Sequence, residues 1–190
     1  MVSDMSQQDK KYTIVRTRQQ FDQMFQHIED SKLVAFDIET NSLNPRKGSI
    51  IGFSVSGDIG MGFYLPTQQY DFKQQKLVDL EVDGHSCHQL AKALIGKLKG
   101  KKLVCHNGSF DVRFTKAYYG IDLRDDLYCD TLLLVHTLKE EGPFGLKKIA
   151  TDLQHELGLD VEKEANEEQV LMKESIKANG GSTSKDNYEL

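Results

Sequence analysis

Lys32-Leu33-Val34-Ala35-Phe36-Asp37-Ile38-Glu39-Thr40 decides how this chain is read, because a short apolar run there ends abruptly in two acids. Residues 32–36 have the length and character of a buried central strand, and Asn41, Ser42, Asn44 and Pro45 behind them break it into a loop. In extended backbone, residues i and i+2 project from one face about 7 Å apart, so Asp37 and Glu39 face one small volume. Two negative charges at the edge of a core are unfavourable unless a cation lies between them. The pattern therefore points to a divalent metal, and hard oxygen donors without a nearby Cys or His pair suit Mg²⁺ or Mn²⁺ better than Zn²⁺. The alternative is that one acid caps the turn and the other faces solvent.

Working outward, Lys11–Arg16 alternates like a short strand, and Phe21, Met24, Phe25 and Ile28 recur at helical spacing. Residues 49–56 and 60–66 are β-rich runs separated by Gly57, Asp58 and Ile59, which predicts a hairpin. Residues 67–86 carry no sustained period and read as a long loop or insertion. His88–Leu98 predicts a helix closed by Gly100, Lys101–Cys105 a strand, and His106-Asn107-Gly108 a break before a helix near Ser109. Residues 130–138, 145–157 and 167–178 read as helices. With the strand at Lys11 set aside, the order is α, β, β, β, α, β, α. A polar tail over 1–10, one domain over 11–160, and a charged helix with a flexible segment over 161–190 complete the expected organisation.

The chain has 190 residues, 38% hydrophobic and 28% charged, with a formal net charge of -5, which fits an ordinary soluble domain with a core of its own. No apolar run approaches the ~20 residues of a membrane span, and the N-terminus lacks an apolar signal core, so a cytoplasmic location is expected. Cys87, Cys105 and Cys129 are widely spaced with no CxxC and predict reduced thiols. The acidic balance lacks the footprint of a protein that coats nucleic acid. It is compatible with an enzyme that reaches phosphates through bound metal ions, which needs carboxylates instead.

A second cluster, Leu103-Val104-Cys105-His106-Asn107-Gly108-Ser109-Phe110-Asp111, again sets a short strand before a polar turn and an acid. Strand ends at the carboxyl edge of a sheet are where α/β folds generally place ligands. Asp111 can also be read as a helix-start acid favoured by the macrodipole, and Asp130 in Cys129-Asp130-Thr131 as a helix cap. His85, Cys87 and His88 are too tightly spaced for a tetrahedral zinc site. Lys97, Lys99, Lys101 and Lys102 form the densest basic run, and Phe63, Tyr64, Tyr118 and Tyr119 are aromatic; a solvated face and core packing are their simpler readings.

Together VAFDIETNSLNP (Val34–Pro45) and LVCHNGSFDVRF (Leu103–Phe114), followed by CDTLLL and GLKKIA, resemble the 3'-5' proofreading exonuclease domain of family A DNA polymerases, especially phage ones, in the DnaQ-like (DEDD) superfamily. The resemblance implies an α/β, RNase H-like fold: a five-stranded mixed sheet flanked by helices. It implies Asp37, Glu39 and Asp111 as metal ligands and catalytic residues, two Mg²⁺ or Mn²⁺ ions, and Thr40, Leu43, Asn107 and Phe110 as substrate contacts. Asp130 falls in a segment where the family's acid is structural. Hydrolysis of frayed or single-stranded DNA 3' ends to 5'-nucleoside monophosphates is the implied activity, beside a polymerase domain or subunit.

The family also uses a fourth carboxylate in a Tyr-x-x-x-Asp or His-x-x-x-x-Asp motif. Tyr118/Asp122 and His155/Asp160 have these spacings in the wrong context, and Tyr188 stands before Leu190 without the acid. A truncated domain, a split gene completed by a second polypeptide, and a noncatalytic module that binds DNA ends or a polymerase are the three resulting expectations. In the first two, the edge left without its last helix is expected to be apolar.

Overall fold

The central strand is half-buried rather than buried on both faces: Val34, Phe36 and Ile38 point into the core while Leu33, Ala35, Asp37 and Glu39 are exposed. The computed structural model describes residues 11–71, 73–157 and positions 170, 174, 177 and 178. The expected tail, most of the 167–178 helix, the 180–186 loop, Asp160 and Tyr188 lie outside the described residues. Two units are distinguished, residues 9–69 with 77–140, and residues 1–8 with 70–76 and 141–190.

In chain order the elements are β1 (Lys11–Ile14), α1 (Arg18–Asp30), β2 (Leu33–Thr40), β3 (Ile50–Asp58), β4 (Met61–Pro66), β5 (Gln68–Asp71), β6 (Lys76–Asp79), β7 (Glu81–Val82), β8 (His85–Ser86), α2 (Cys87–Lys97), β9 (Lys102–Cys105), α3 (Gly108–Tyr119), β10 (Leu127–Asp130), α4 (Thr131–Leu138) and α5 (Leu146–Leu157). The main sheet has six strands in the order β1-β4-β3-β2-β9-β10. Only β3 runs against the others. The sheet is thus mixed, as the resemblance implies, but wider by one strand: the strand expected at Lys11 is present as β1, parallel to β4, and β10 is added parallel to β9. Leu127–Asp130 was legible only as a helix start, because the strand is four residues long and runs directly into α4.

The predicted β3/β4 hairpin and the helices over α1, α2, α3, α4 and α5 are present. Thr17 opens α1 with a reciprocal capping box to Gln20. Residues 67–86 form four short strands rather than a loop, each too short to show a period. Phe36, Phe53, Met24, Leu65, Leu94 and Phe114 are among the fully buried side chains of a single core. That core holds α1 and α2 together and seats α3 on β2 and β9. No helix among the described residues is long and apolar enough to cross a membrane.

Gly108 is required where β9 turns into α3. A Cβ there would sit 2.7 Å from the Cβ of Cys105, which is fixed to the backbone of β9, and 2.8 Å from the Leu127 Cδ1 methyl. Gly108→Ala is expected to lower stability by roughly 1–3 kcal/mol, read as a lower urea midpoint with an unchanged slope.

Candidate active site

Beyond Ala35, β2 has no strand partner on one side among the described residues, because its parallel pairing with β9 covers only Leu33–Ala35. A buried amide left open at that edge needs an acceptor. Asp111, in the first turn of α3, supplies it: Ile38 N–H donates to its Oδ1 at 3.2 Å. The acceptor therefore hangs from the very residue that separates Asp37 from Glu39. Asp111 is only 2% exposed, which a solvated helix-start acid would not be.

The three carboxylates strain one another electrostatically. Burial, then the charge of Asp37, pushes Asp111 up to about 7. Desolvation raises Asp37, with His106 pulling the other way, and desolvation followed by Asp37 raises Glu39. Among the described residues no three His, Cys, Asp or Glu side chains are gathered closely enough to hold a metal ion as they stand. The donor chemistry nonetheless fits a hard divalent cation: three oxygen-donor side chains that disfavour each other's charge and have no thiolate among them.

Asp130 has a different job. Its Oδ1 accepts from Asn107 N–H at 2.9 Å and Leu132 N–H at 3.0 Å, and its Oδ2 from Gly108 N–H at 2.8 Å. One carboxylate caps α4 and clamps the turn that leads into α3. That turn contains Asn107 in the left-handed region (φ 63°), a conformation asparagine tolerates better than most residues.

Of the other predicted contacts, Leu43 is 87% exposed beyond β2, and Thr40 Oγ1 donates to the Ser42 carbonyl at 2.9 Å. Phe110 is half-buried against Phe114, ring centroids 5.5 Å apart. Tyr118 and Asp122 do not join the carboxylates: Tyr118 packs on Tyr119 and His88, while Arg124 and Lys116 hold Asp122 and keep its carboxyl well below the ordinary range. His88 is engaged by Asp79 and Tyr119, and Cys87 is buried. The basic run is also spoken for: Lys97 pairs with Glu29, Lys99 and Lys101 donate to the carbonyls of Asp122 and Glu29, and Lys102 lies over Tyr128.

Two residues named in the sequence turn out to be neighbours of the carboxylates, a role their local pattern did not reveal. His106 lies near Asp37 and meets Thr131 Oγ1 at 2.9 Å through Nδ1. Tyr64 lies near Glu39; burial and then that charge push its phenol up to about 12. Tyr64 reaches the site through strand pairing and His106 through the turn after β9, so neither proximity shows as a local spacing.

The family model described as 3'-5' exonuclease matches residues 12–177. The chain belongs to that family, the family A polymerase kind of DnaQ-like exonuclease. None of the curated proteins matches it. Among solved structures, the POL domain of Pol1 from M. smegmatis in complex with DNA primer-template and dNTP is similar over 76% of this chain and 23% of that one, at 12% identity and TM-score 0.53. Trypanosoma brucei RNase D in complex with RNA U12 is similar over 78% of this chain and 48% of that one, at 12% identity and TM-score 0.51. Brucella melitensis NrnC with bound Mg²⁺ matches over 76% of this chain and 60% of its own, at 18% identity and TM-score 0.49. The chain thus spans less than two thirds of these proteins, and the likeness to the Pol1 and RNase D structures is one of fold.

Two outcomes follow from the geometry. Asp111 keeps its proton up to about pH 7 when folded and sheds it near 3.8 when unfolded, so its own contribution to metal-free stability is full below pH 3.8 and is lost as pH rises toward 7. Asp111→Asn, which keeps an acceptor for Ile38, is expected to flatten that fall and raise the thermal midpoint at pH 8 in chelator; parallel midpoint curves for the two proteins would refute it. Asp130→Ala leaves three amides without their acceptor and is expected to cost about 1–3 kcal/mol, with faster amide exchange at Asn107, Gly108 and Leu132.

Proposed function

We propose that this chain is a metal-dependent 3'-5' DNA exonuclease domain that trims frayed or single-stranded 3' ends in proofreading. The observation that carries the reading is the Ile38 N–H to Asp111 hydrogen bond, which draws a third carboxylate to the pair on β2. Asp37, Glu39 and Asp111 would hold the ions, with residues 11–160 as the exonuclease domain. Two Mg²⁺ or Mn²⁺ ions, when bound, supply an acidified water and charge neutralisation at the phosphodiester.

The chain's own groups do the rest. Asp111, whose Oδ1 accepts from Ile38 N–H, would join Asp37 and Glu39 in holding the ions. Leu43 and Phe110 offer apolar surface to the terminal nucleotide, and Asn107, held in its turn by the Asp130 clamp, lies at the end of β9 within the same carboxyl edge. Attack needs no side-chain nucleophile, and the product is a 5'-nucleoside monophosphate. DNA rather than RNA rests on the family's kinship with A-type polymerase exonucleases; a polymerase domain or subunit is the corresponding partner.

A second reading is a noncatalytic module that binds DNA ends or a polymerase; α4 bears on the polymerase partner that both readings share. No side chain of that apolar helix is buried, and Leu133, Leu134 and Leu138 are 62%, 51% and 75% exposed.

Release of mononucleotide from 3'-labelled single strands of DNA and RNA separates the readings. The expected result is metal-dependent release from DNA, abolished by chelation and reduced roughly 10³-fold or more in Asp37→Ala/Glu39→Ala. Cleavage surviving in the double variant would sink the assignment of these carboxylates. Tight DNA binding without release by the unaltered chain would favour the noncatalytic reading.

A further inference from the structure

A cavity of about 400 Å³ opens at the carboxyl end of β1 and β4, within the size range of small-ligand sites. We propose that it receives one nucleotide unit of the substrate strand, upstream of the unit being cleaved; the inference rests on the exonuclease reading above.

Strand register ties the cavity to the carboxylates. Ile14 pairs with Tyr64, Tyr64 with Ser54, and Ser54 with Asp37, so the four form one row across the sheet on the same face. Three strand spacings separate the ends of that row, roughly 14 Å, a span of a few nucleotides. Tyr64 is the shared wall. Its ring lies over Gly52, where a Cβ would come within 2.5 Å of Cζ, and Gly52 is the cross-strand partner of Glu39. Tyr64 also lines the cavity.

The lining suits an unpaired base with its phosphate. Tyr64 offers an aromatic face, and Val15, Pro66 and Leu80 offer apolar walls. Base stacking on such a surface is sequence-tolerant, as a trimming enzyme requires. Arg16, the only cationic side chain in the lining, is exposed at the rim, where a backbone phosphate would pass, and Glu81 and Gln69 can meet the polar edge of the base. Gln68 is already held by Ser49 and Asp79, which makes it a fixed wall. In a 3'-5' exonuclease the strand continues only on the 5' side of the cleaved bond, so a strand subsite displaced from the carboxylates is an upstream one.

The test is binding of labelled deoxythymidylates of increasing length, from the dinucleotide upward, with Ca²⁺ replacing Mg²⁺. Arg16→Ala is expected to raise Kd about tenfold for the longer strands and to reduce the slope of log Kd against log salt by about 1. Arg16→Lys is expected to restore most of the affinity, and the dinucleotide to bind alike to all three proteins. A 2-aminopurine base moved along the strand should be quenched at one upstream position, with the quenching lost in Tyr64→Leu. Equal weakening of short and long strands, or of neither, overturns the proposal. Selective loss of affinity for free thymidine monophosphate, with strands unaffected, overturns it in favour of a site for released nucleotide. Failure of the unaltered chain to bind any single strand or release mononucleotide with Mg²⁺ would instead bring down the exonuclease reading itself.

Discussion

An amide at an unpaired strand edge organises this molecule's candidate site. β2 outlasts β9, and the Ile38 N–H that would otherwise be orphaned beside the core is met by Asp111 from α3. A backbone donor accepts only one position for its partner, so this bond fixes the third carboxylate more tightly than packing alone would. The same bond partly offsets the cost of an acid that is almost wholly buried.

That cost is tolerated because the surroundings are rigid. Phe36 and Ile38 on the opposite face of β2 are locked in the core with Phe53, and Phe114 anchors α3 three residues beyond Asp111. Asp130 adds a second constraint by gathering the Asn107, Gly108 and Leu132 amides on one carboxylate. The two aspartates thus divide the labour: one is spent on backbone geometry, and the other is held beside like charges. Sites that concentrate unfavourable charge in this way are where function is usually found.

Much of the architecture was legible from local pattern. The apolar run of β2, the hairpin of β3 and β4, and the helical spacing of α1 and α2 are long enough for local pattern to reveal them, although β2 alternates inward and outward where that run predicts a strand buried on both faces. The four short strands of residues 67–86 and the four-residue β10 are too brief to carry a period, so their pairing partners alone define them. The sheet consequently gained a strand over the expected five. His88 and the lysine run near the end of α2 dissolve into ordinary contacts once their neighbours are known.

By itself the sequence determined the Asp37/Glu39 pair on one strand face, the second strand-turn-acid cluster ending at Asp111, and the kinship that links them. These are matters of backbone period and motif order, which act over a few residues. Tertiary structure decided that Asp111 hangs from Ile38, that Asp130 is a clamp, and that His106 and Tyr64 border the carboxylates. Each of those depends on register between strands or on the seating of a helix, so residues 73 positions apart, as Ile38 and Asp111 are, become hydrogen-bonded neighbours only when the core closes.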